Sequence, residues 1–185
     1  MINTGLFTSK TEMWETPQDL FDRLNDIHNF DCDVCATSDN AKCKKFYSPD
    51  IDGLKQDWAE NKVCWMNPPY GREIGKWIEK AYNEAQKGIK IVALLPARTD
   101  TRWFHDWIYM MYGVDVEFIK GRLKFGDSKN SAPFPSMIVT FERNHFYNEE
   151  IIDNIECCPN CKSTDTMSYT PFDDICNECG HVWAR

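Results

Sequence analysis

Four consecutive residues, Asn67-Pro68-Pro69-Tyr70, concentrate the chemistry of this sequence. The Asn side-chain oxygen and a proline carbonyl form two acceptors side by side, and an aromatic ring follows. Two prolines in a row fix two φ angles and remove two backbone donors, so the corner is stiff and rich in acceptors. That set suits a planar group bearing an NH2: both amino hydrogens are accepted while the ring stacks on Tyr70. The exocyclic amine of a nucleobase is a weak nucleophile because its lone pair is delocalised into the ring. Hydrogen bonds aimed off the ring plane favour a pyramidal nitrogen with a localised pair. Attack on an activated methyl group then needs positioning and electrostatics, with no covalent enzyme intermediate. The competing reading is a proline-stiffened turn after a strand, with Asn67 as a helix cap.

A second constellation lies near the end of the chain. Cys158-Pro-Asn-Cys161 and Cys176-Asn-Glu-Cys179-Gly180 are two CxxC knuckles with 14 residues between them. Four thiolates at that spacing suit tetrahedral Zn2+, here as a structural zinc ribbon. A segment too short for its own core takes its folding energy from the metal. Cys157 is adjacent and able to replace Cys158. The alternative, paired disulfides, is disfavoured in a reducing cytosol. Cys32 and Cys35, with His28 and Cys43, make a third set, but residues three apart on a strand point to opposite faces, so buried thiols are expected there.

The elements that must position the tetrapeptide are legible around it. Val63-Cys64-Trp65-Met66 reads as a buried strand, and ligands in open α/β sheets sit beyond the carboxyl ends of strands. Ile74, Trp77, Ile78, Ala81, Tyr82 and Ala85 mark an amphipathic helix that stops at Gly88. Ile89 to Leu95 is a continuous apolar run, as in a central parallel strand, and Pro96-Ala97-Arg98-Thr99-Asp100 follows on the same rim. Upstream, Thr16-Pro17-Gln18-Asp19 is a helix start with Thr16 as cap, and Leu20, Phe21, Leu24 and Ile27 fall on one face. Phe30 to Ala36 reads as the first strand and carries no GxGxxG. Asp52-Gly53 is a turn. Asp100 or Thr101 caps a helix whose buried face is Trp103, Phe104, Trp107, Ile108 and Met111. Val114 to Ile119 and Ser136 to Phe141 are strands joined without a helix, which suggests an antiparallel pair closing the sheet edge.

At 185 residues and a formal net charge of -8, the chain fits one ordinary domain plus a small appendage and does not grip nucleic acid all over. Its cations are local. Lys120 to Lys129 follows a strand end and suits phosphate contact; Lys42, Lys44 and Lys45 are a second cluster, either solvated or on phosphate. The expected division is an arm at 1–13, a catalytic domain at 14–143, an acidic linker at 144–155 and the ribbon at 156–185. Met1 to Lys10 lacks the pattern of a signal peptide and no stretch is long enough to span a membrane, so the cytoplasm is the expected compartment.

The wider pattern is Trp14-Glu15-Thr16-Pro17, Phe30-Asp31-Cys32-Asp33-Val34-Cys35-Ala36, Asp57-Trp58, Asn67-Pro68-Pro69-Tyr70, Leu95-Pro96-Ala97-Arg98-Thr99, Gly121-Arg122-Leu123-Lys124-Phe125 and Pro133-Phe134-Pro135-Ser136. Over about residues 12 to 142 it resembles the phage-type DNA N6-adenine methyltransferases. The resemblance implies a Rossmann-like α/β sheet with an antiparallel edge. It implies direct methyl transfer from S-adenosylmethionine to a flipped-out adenine at specific sites in double-stranded DNA, in a bacterial or phage-infected cell. Asn67 and the Pro68 carbonyl hold the amine, Pro69 shapes the turn and Tyr70 stacks on the base. Trp14, Thr16, Pro17, Asp33, Ala36, Asp57 and Trp58 seat the cofactor, with Asp57 accepting from its adenine amine and Trp58 packing beside it; the competing reading is a surface Asp next to a core Trp. Arg98, Lys120, Arg122, Lys124 and Lys129 contact DNA, although Arg98 pairing with a local acid is an equal alternative. The tetrapeptide is shared with RNA-base and glutamine methyltransferases, which leaves those substrates open. A scaffold that has lost catalysis and binds DNA through the zinc ribbon is the other alternative.

Overall fold

The computed structural model describes residues 14–126, 128–143 and 160, with strand residues 166–168, 173–176 and 182–184. The chain divides after Arg143 into two compact units.

The first unit is an α/β sheet of six strands: β1 (Cys32–Asp33), β2 (Lys45–Phe46), β3 (Val63–Met66), β4 (Lys90–Pro96), β5 (Val114–Phe118) and β6 (Ser136–Phe141). Their order is β2-β1-β3-β4-β6-β5. The first four are parallel. β6 runs antiparallel between β4 and β5, which ends the sheet in the expected antiparallel pair. Cys64, Trp65 and Met66 on β3 and Ile91 to Leu95 on β4 are fully buried. Such continuous apolar runs fit strands covered on both faces. The chain therefore reaches Asn67 directly from a fully buried stretch of strand.

The first strand is shorter than its apolar run suggests, two residues in place of Phe30 to Ala36. The Asp33 carboxylate accepts from the N–H groups of Cys35 at 3.3 Å and Lys42 at 3.1 Å, which takes the Cys35 N–H out of the ladder while those of Val34 and Ala36 still reach Trp65 and Tyr47. Helix α1 (Gln18–His28) buries Leu20, Phe21 and Leu24. Ile27 does not join them and is 65% exposed. Beyond the left-handed turn at Asn29, Phe30 comes back to meet Phe21 and Trp65, filling the position expected of Ile27. Helix α2 (Ile74–Ala85) follows its periodicity and is followed by Gly88 at φ 98°. Helix α3 (Arg102–Trp107) is only six residues long, so the expected aromatic face ends early and Met111 lies outside the helix.

Gly53 is a position where only glycine fits. A Cβ there would stand 2.1 Å from the Val34 carbonyl oxygen, so the 3-10 turn Gly53–Lys55 lies directly on the first-strand loop. Trp58, fully buried, donates its indole N–H to the Gly53 carbonyl at 2.8 Å and stacks on Trp77.

The second unit contains an antiparallel sheet of three strands, β7 (Thr166–Ser168), β8 (Asp173–Cys176) and β9 (Val182–Ala184), in that order. Cys176 ends β8, whereas Cys158, Cys161 and Cys179 lie outside the described residues. Among the described residues no group of three metal-ligating side chains occurs, and no helix is long and apolar enough to cross a membrane.

Candidate active site

Asn67 stands one residue past the end of β3. Its amide nitrogen donates to the Trp14 carbonyl at 2.5 Å and to the Thr16 hydroxyl at 2.9 Å. Both N–H bonds are thereby consumed, which fixes the orientation of the amide, since the reverse would set oxygen against the Trp14 oxygen. Asn67 Oδ1 is left buried with no hydrogen-bond partner among the described residues. A buried acceptor without a donor costs about 1–3 kcal/mol, so this oxygen is a vacancy for an N–H. Thr16 does not cap α1 through its side chain. Pro17 occupies the N-cap position, with no side-chain capping bond, and the Thr16 hydroxyl goes to Asn67 instead.

Tyr70 departs from the expected stacking platform. It is 6% exposed, and its hydroxyl donates to the Leu94 carbonyl at 3.0 Å. Burial pushes its phenol well above the ordinary value. Phe125 and Phe134 meet its ring edge-on, and Trp14 meets the same two phenylalanines at 5.2 and 5.0 Å. Four rings thus close together beside Asn67. The Gly126 N–H donates to the Glu15 carbonyl at 3.0 Å, tying the 121–135 loop to the segment that orients Asn67.

Two cavities flank the proline pair. The smaller, about 20 Å3, is polar and is lined by Trp14, Glu15, Thr16, Asp33, Asn40, Lys42, Asn67 and Pro68. The larger, about 260 Å3, is mostly apolar and is lined by Ala36, Thr37, Tyr47, Asp52, Gly53, Pro69 and Trp77. Cys35 lines both. Pro68 faces one space and Pro69 the other, so the rigid corner forms their partition. Burial raises the Asp33 carboxyl to about 6, even though two backbone N–H groups and Lys42 oppose the shift. Burial also raises the Cys35 thiol well above its usual value, which makes it a wall rather than a nucleophile.

The expected cofactor residues separate on this geometry. Trp14, Thr16, Asp33 and Ala36 line the cavities. Pro17 only starts α1. Asp57 lines neither cavity: it is exposed, pairs with Lys87 at 3.0 Å and accepts from the Ala59 N–H, which depresses its carboxyl. Trp58 packs behind Gly53 and Trp77 instead of facing the space. The competing reading of that pair, a surface Asp beside a core Trp, is what the structure has. Tyr47, Asp52 and Trp77 also line the larger cavity and were not among the expected site residues. The adjacent Asp52-Gly53 turn was their only signal. Arg98, Lys120, Arg122, Lys124 and Lys129 are exposed, and none forms an ion pair with a described residue.

An apolar chamber beside a polar one, with Cys35 in both walls, suits a ligand with a flat heterocycle at one end and a charged head at the other. Residues 3–155 match the family model described as DNA N-6-adenine-methyltransferase (Dam). The chain belongs to the Dam family. Its relatives include the DNA N-6-adenine-methyltransferase of Haemophilus phage HP1 (strain HP1c1), 29% identical over 149 residues, which spans 77% of this chain and 85% of that protein. The protein of the same name from Escherichia phage T1 is 36% identical over 94 residues, covering 50% of this chain but only 39% of the relative. The Dam match ends before Cys157, so the cysteine knuckles lie beyond it.

Proposed function

We propose that this Dam-family chain transfers a methyl group from S-adenosylmethionine to N6 of an adenine in DNA. The observation that carries the reading is Asn67 Oδ1: a buried acceptor, oriented by Trp14 and Thr16, with no donor among the described residues. The two cavities fit the methyl donor by their chemistry. Ala36, Tyr47, Pro69 and Trp77 offer an apolar chamber to its heterocycle, while Asp33 and Lys42 offer charge to its amino-acid end. When bound, S-adenosylmethionine supplies an electrophilic methyl group on a sulfonium sulfur. Asn67 Oδ1 and the Pro68 carbonyl accept the two hydrogens of the target amine and localise its lone pair for in-line attack. The surplus proton on N6 stays on those hydrogen bonds until solvent removes it. Tyr70 acts from the core by holding the corner against β4, and Pro69 keeps the partition rigid.

The target adenine leaves the duplex to reach Asn67. Trp14, Phe125 and Phe134 pack ring against ring next to the segment that orients Asn67, and these are the side chains that would have to part for the base to enter. Lys120, Arg122, Lys124 and Lys129 occupy the same loop as Phe125, and with Arg98 they take the phosphates of double-stranded DNA. The C-terminal unit is read as a zinc ribbon holding Zn2+ through Cys158, Cys161, Cys176 and Cys179. The knuckle spacing and a sheet of three short strands support that reading.

The direct test is digestion of treated DNA to nucleosides and mass analysis for N6-methyladenine. Asn67→Ala is expected to lower product formation by about 100-fold or more while cofactor affinity stays near wild type. Retained turnover removes the assignment. Labelled methyl donor appearing in RNA or in protein glutamine, with none in DNA, transfers the same chemistry to another amine.

A further inference from the structure

Lys42 belongs by sequence to a run of surface cations, yet the fold separates it from its neighbours. Lys44 and Lys45 are exposed, whereas the Lys42 side chain is only 10% exposed. Its Nζ donates to Gln18 Oε1 at 2.9 Å and lies 4.0 Å from Glu15 Oε1. Its backbone N–H donates to Asp33 Oδ2 at 3.1 Å. Lys42 therefore lines the small polar cavity together with Asp33, Glu15 and Asn67. It faces inward, away from any duplex resting on the surface.

The charge balance around this space narrows what it takes. Glu15, Asp33 and Lys42 are its charged side chains, two acids and one base. A bare anion such as a phosphate meets a net negative field there. A zwitterion meets a partner for each of its charges. An ammonium head has three donors, and Gln18 accepts only one of them, so Lys42 retains capacity for an incoming acceptor.

We propose that Lys42 is the cation that selects the carboxylate on the amino-acid end of the methyl donor, while Asp33 takes the neighbouring ammonium. This rests on the methyl-transfer reading above and adds a specificity residue to it. Lys42 does not touch the target amine; it fixes the end of the cofactor remote from the heterocycle, and so the depth at which the reactive group stops beside the proline partition.

The test compares equilibrium binding of S-adenosylmethionine with that of its decarboxylated analogue, by calorimetry, on the full chain and on Lys42→Met. The wild type is expected to bind the carboxylate-bearing ligand about tenfold or more tightly than the analogue. In Lys42→Met that preference disappears, because affinity for S-adenosylmethionine falls while affinity for the analogue stays within about twofold. Lys42→Gln carries the same comparison should the methionine variant fail to fold, and Lys42→Arg is expected to keep most of the preference. Equal weakening of both ligands, or a preference that survives the substitution, overturns the assignment of Lys42 and leaves the methyl-transfer reading standing. Failure of the wild type to bind either ligand overturns both.

Discussion

At Asn67 both amide hydrogens are committed to Trp14 and Thr16, so an incoming base meets only oxygen. A base edge presenting a carbonyl at that point would set lone pair against lone pair, whereas an amine is accepted. Selection for an amino group thus begins one hydrogen bond away, at the residues that orient the amide. Asp33 adds a dependence on acidity. Burial raises its carboxyl to about 6, so the folded chain takes up this proton at a higher pH than the unfolded chain does. Between about 6 and the ordinary carboxylate value, this group stabilises the free protein as pH falls. A cationic ligand head next to Asp33 and Lys42 favours the ionised form instead. Affinity for S-adenosylmethionine is therefore expected to be flat above pH 6 and to fall by up to about tenfold per unit below it, with proton release on binding detectable by calorimetry in buffers of different ionisation enthalpy. Unchanged affinity between pH 7 and pH 5 removes Asp33 from the cofactor contact.

Helix α2 shows how an element can be legible while its anchoring is not. Its apolar stripe marks both its ends, but the stripe says nothing of Glu84, which is 3% exposed. Glu84 accepts from the Trp58 N–H at 3.2 Å and pairs with Lys80 and Lys87 at 2.8 and 3.0 Å. It thereby fastens α2 to the loop that backs Gly53 and the larger cavity. Glu84→Ala is expected to cost about 2–3 kcal/mol in denaturant unfolding, since it leaves a buried N–H and a half-sheltered ammonium without their acceptor. Glu84→Gln, which still accepts from Trp58, is expected to cost less, and equal stability of all three chains would contradict this account. Strands β3, β4 and β6 could be read from the sequence because long apolar runs have one solution in a covered sheet. β1 could not be bounded, because Asp33 competes for the backbone, and β2 was missed because two residues carry no period. The tetrapeptide was recognisable from residue types alone. Lys42 was not, since a run of charges does not tell which member bends inward, and the pairing of Asp57 was not legible because Lys87, just past α2, is 30 positions away.

For the whole molecule, a net charge of -8 means that the proposed DNA binding has to be local, and the exposed cations Arg98, Lys120, Arg122, Lys124 and Lys129 are where it is expected. The second unit follows different rules. If its four knuckle thiols hold Zn2+, a strong chelator is expected to release about one equivalent of metal and to collapse the strands of 166–184, with the sheet of residues 14–143 left folded. Metal analysis together with hydrogen exchange reads both outcomes, and a metal-free chain with unchanged exchange discards the ribbon. The first unit contains one further coupling. Phe125 packs against Trp14 and Tyr70, and Arg122 and Lys124 are exposed within three residues of it. On the proposed reading, a polymer held by those cations is expected to pull on this ring cluster, while a lone nucleoside has no backbone with which to do so. Free adenosine is therefore expected to be a poorer methyl acceptor than a strand.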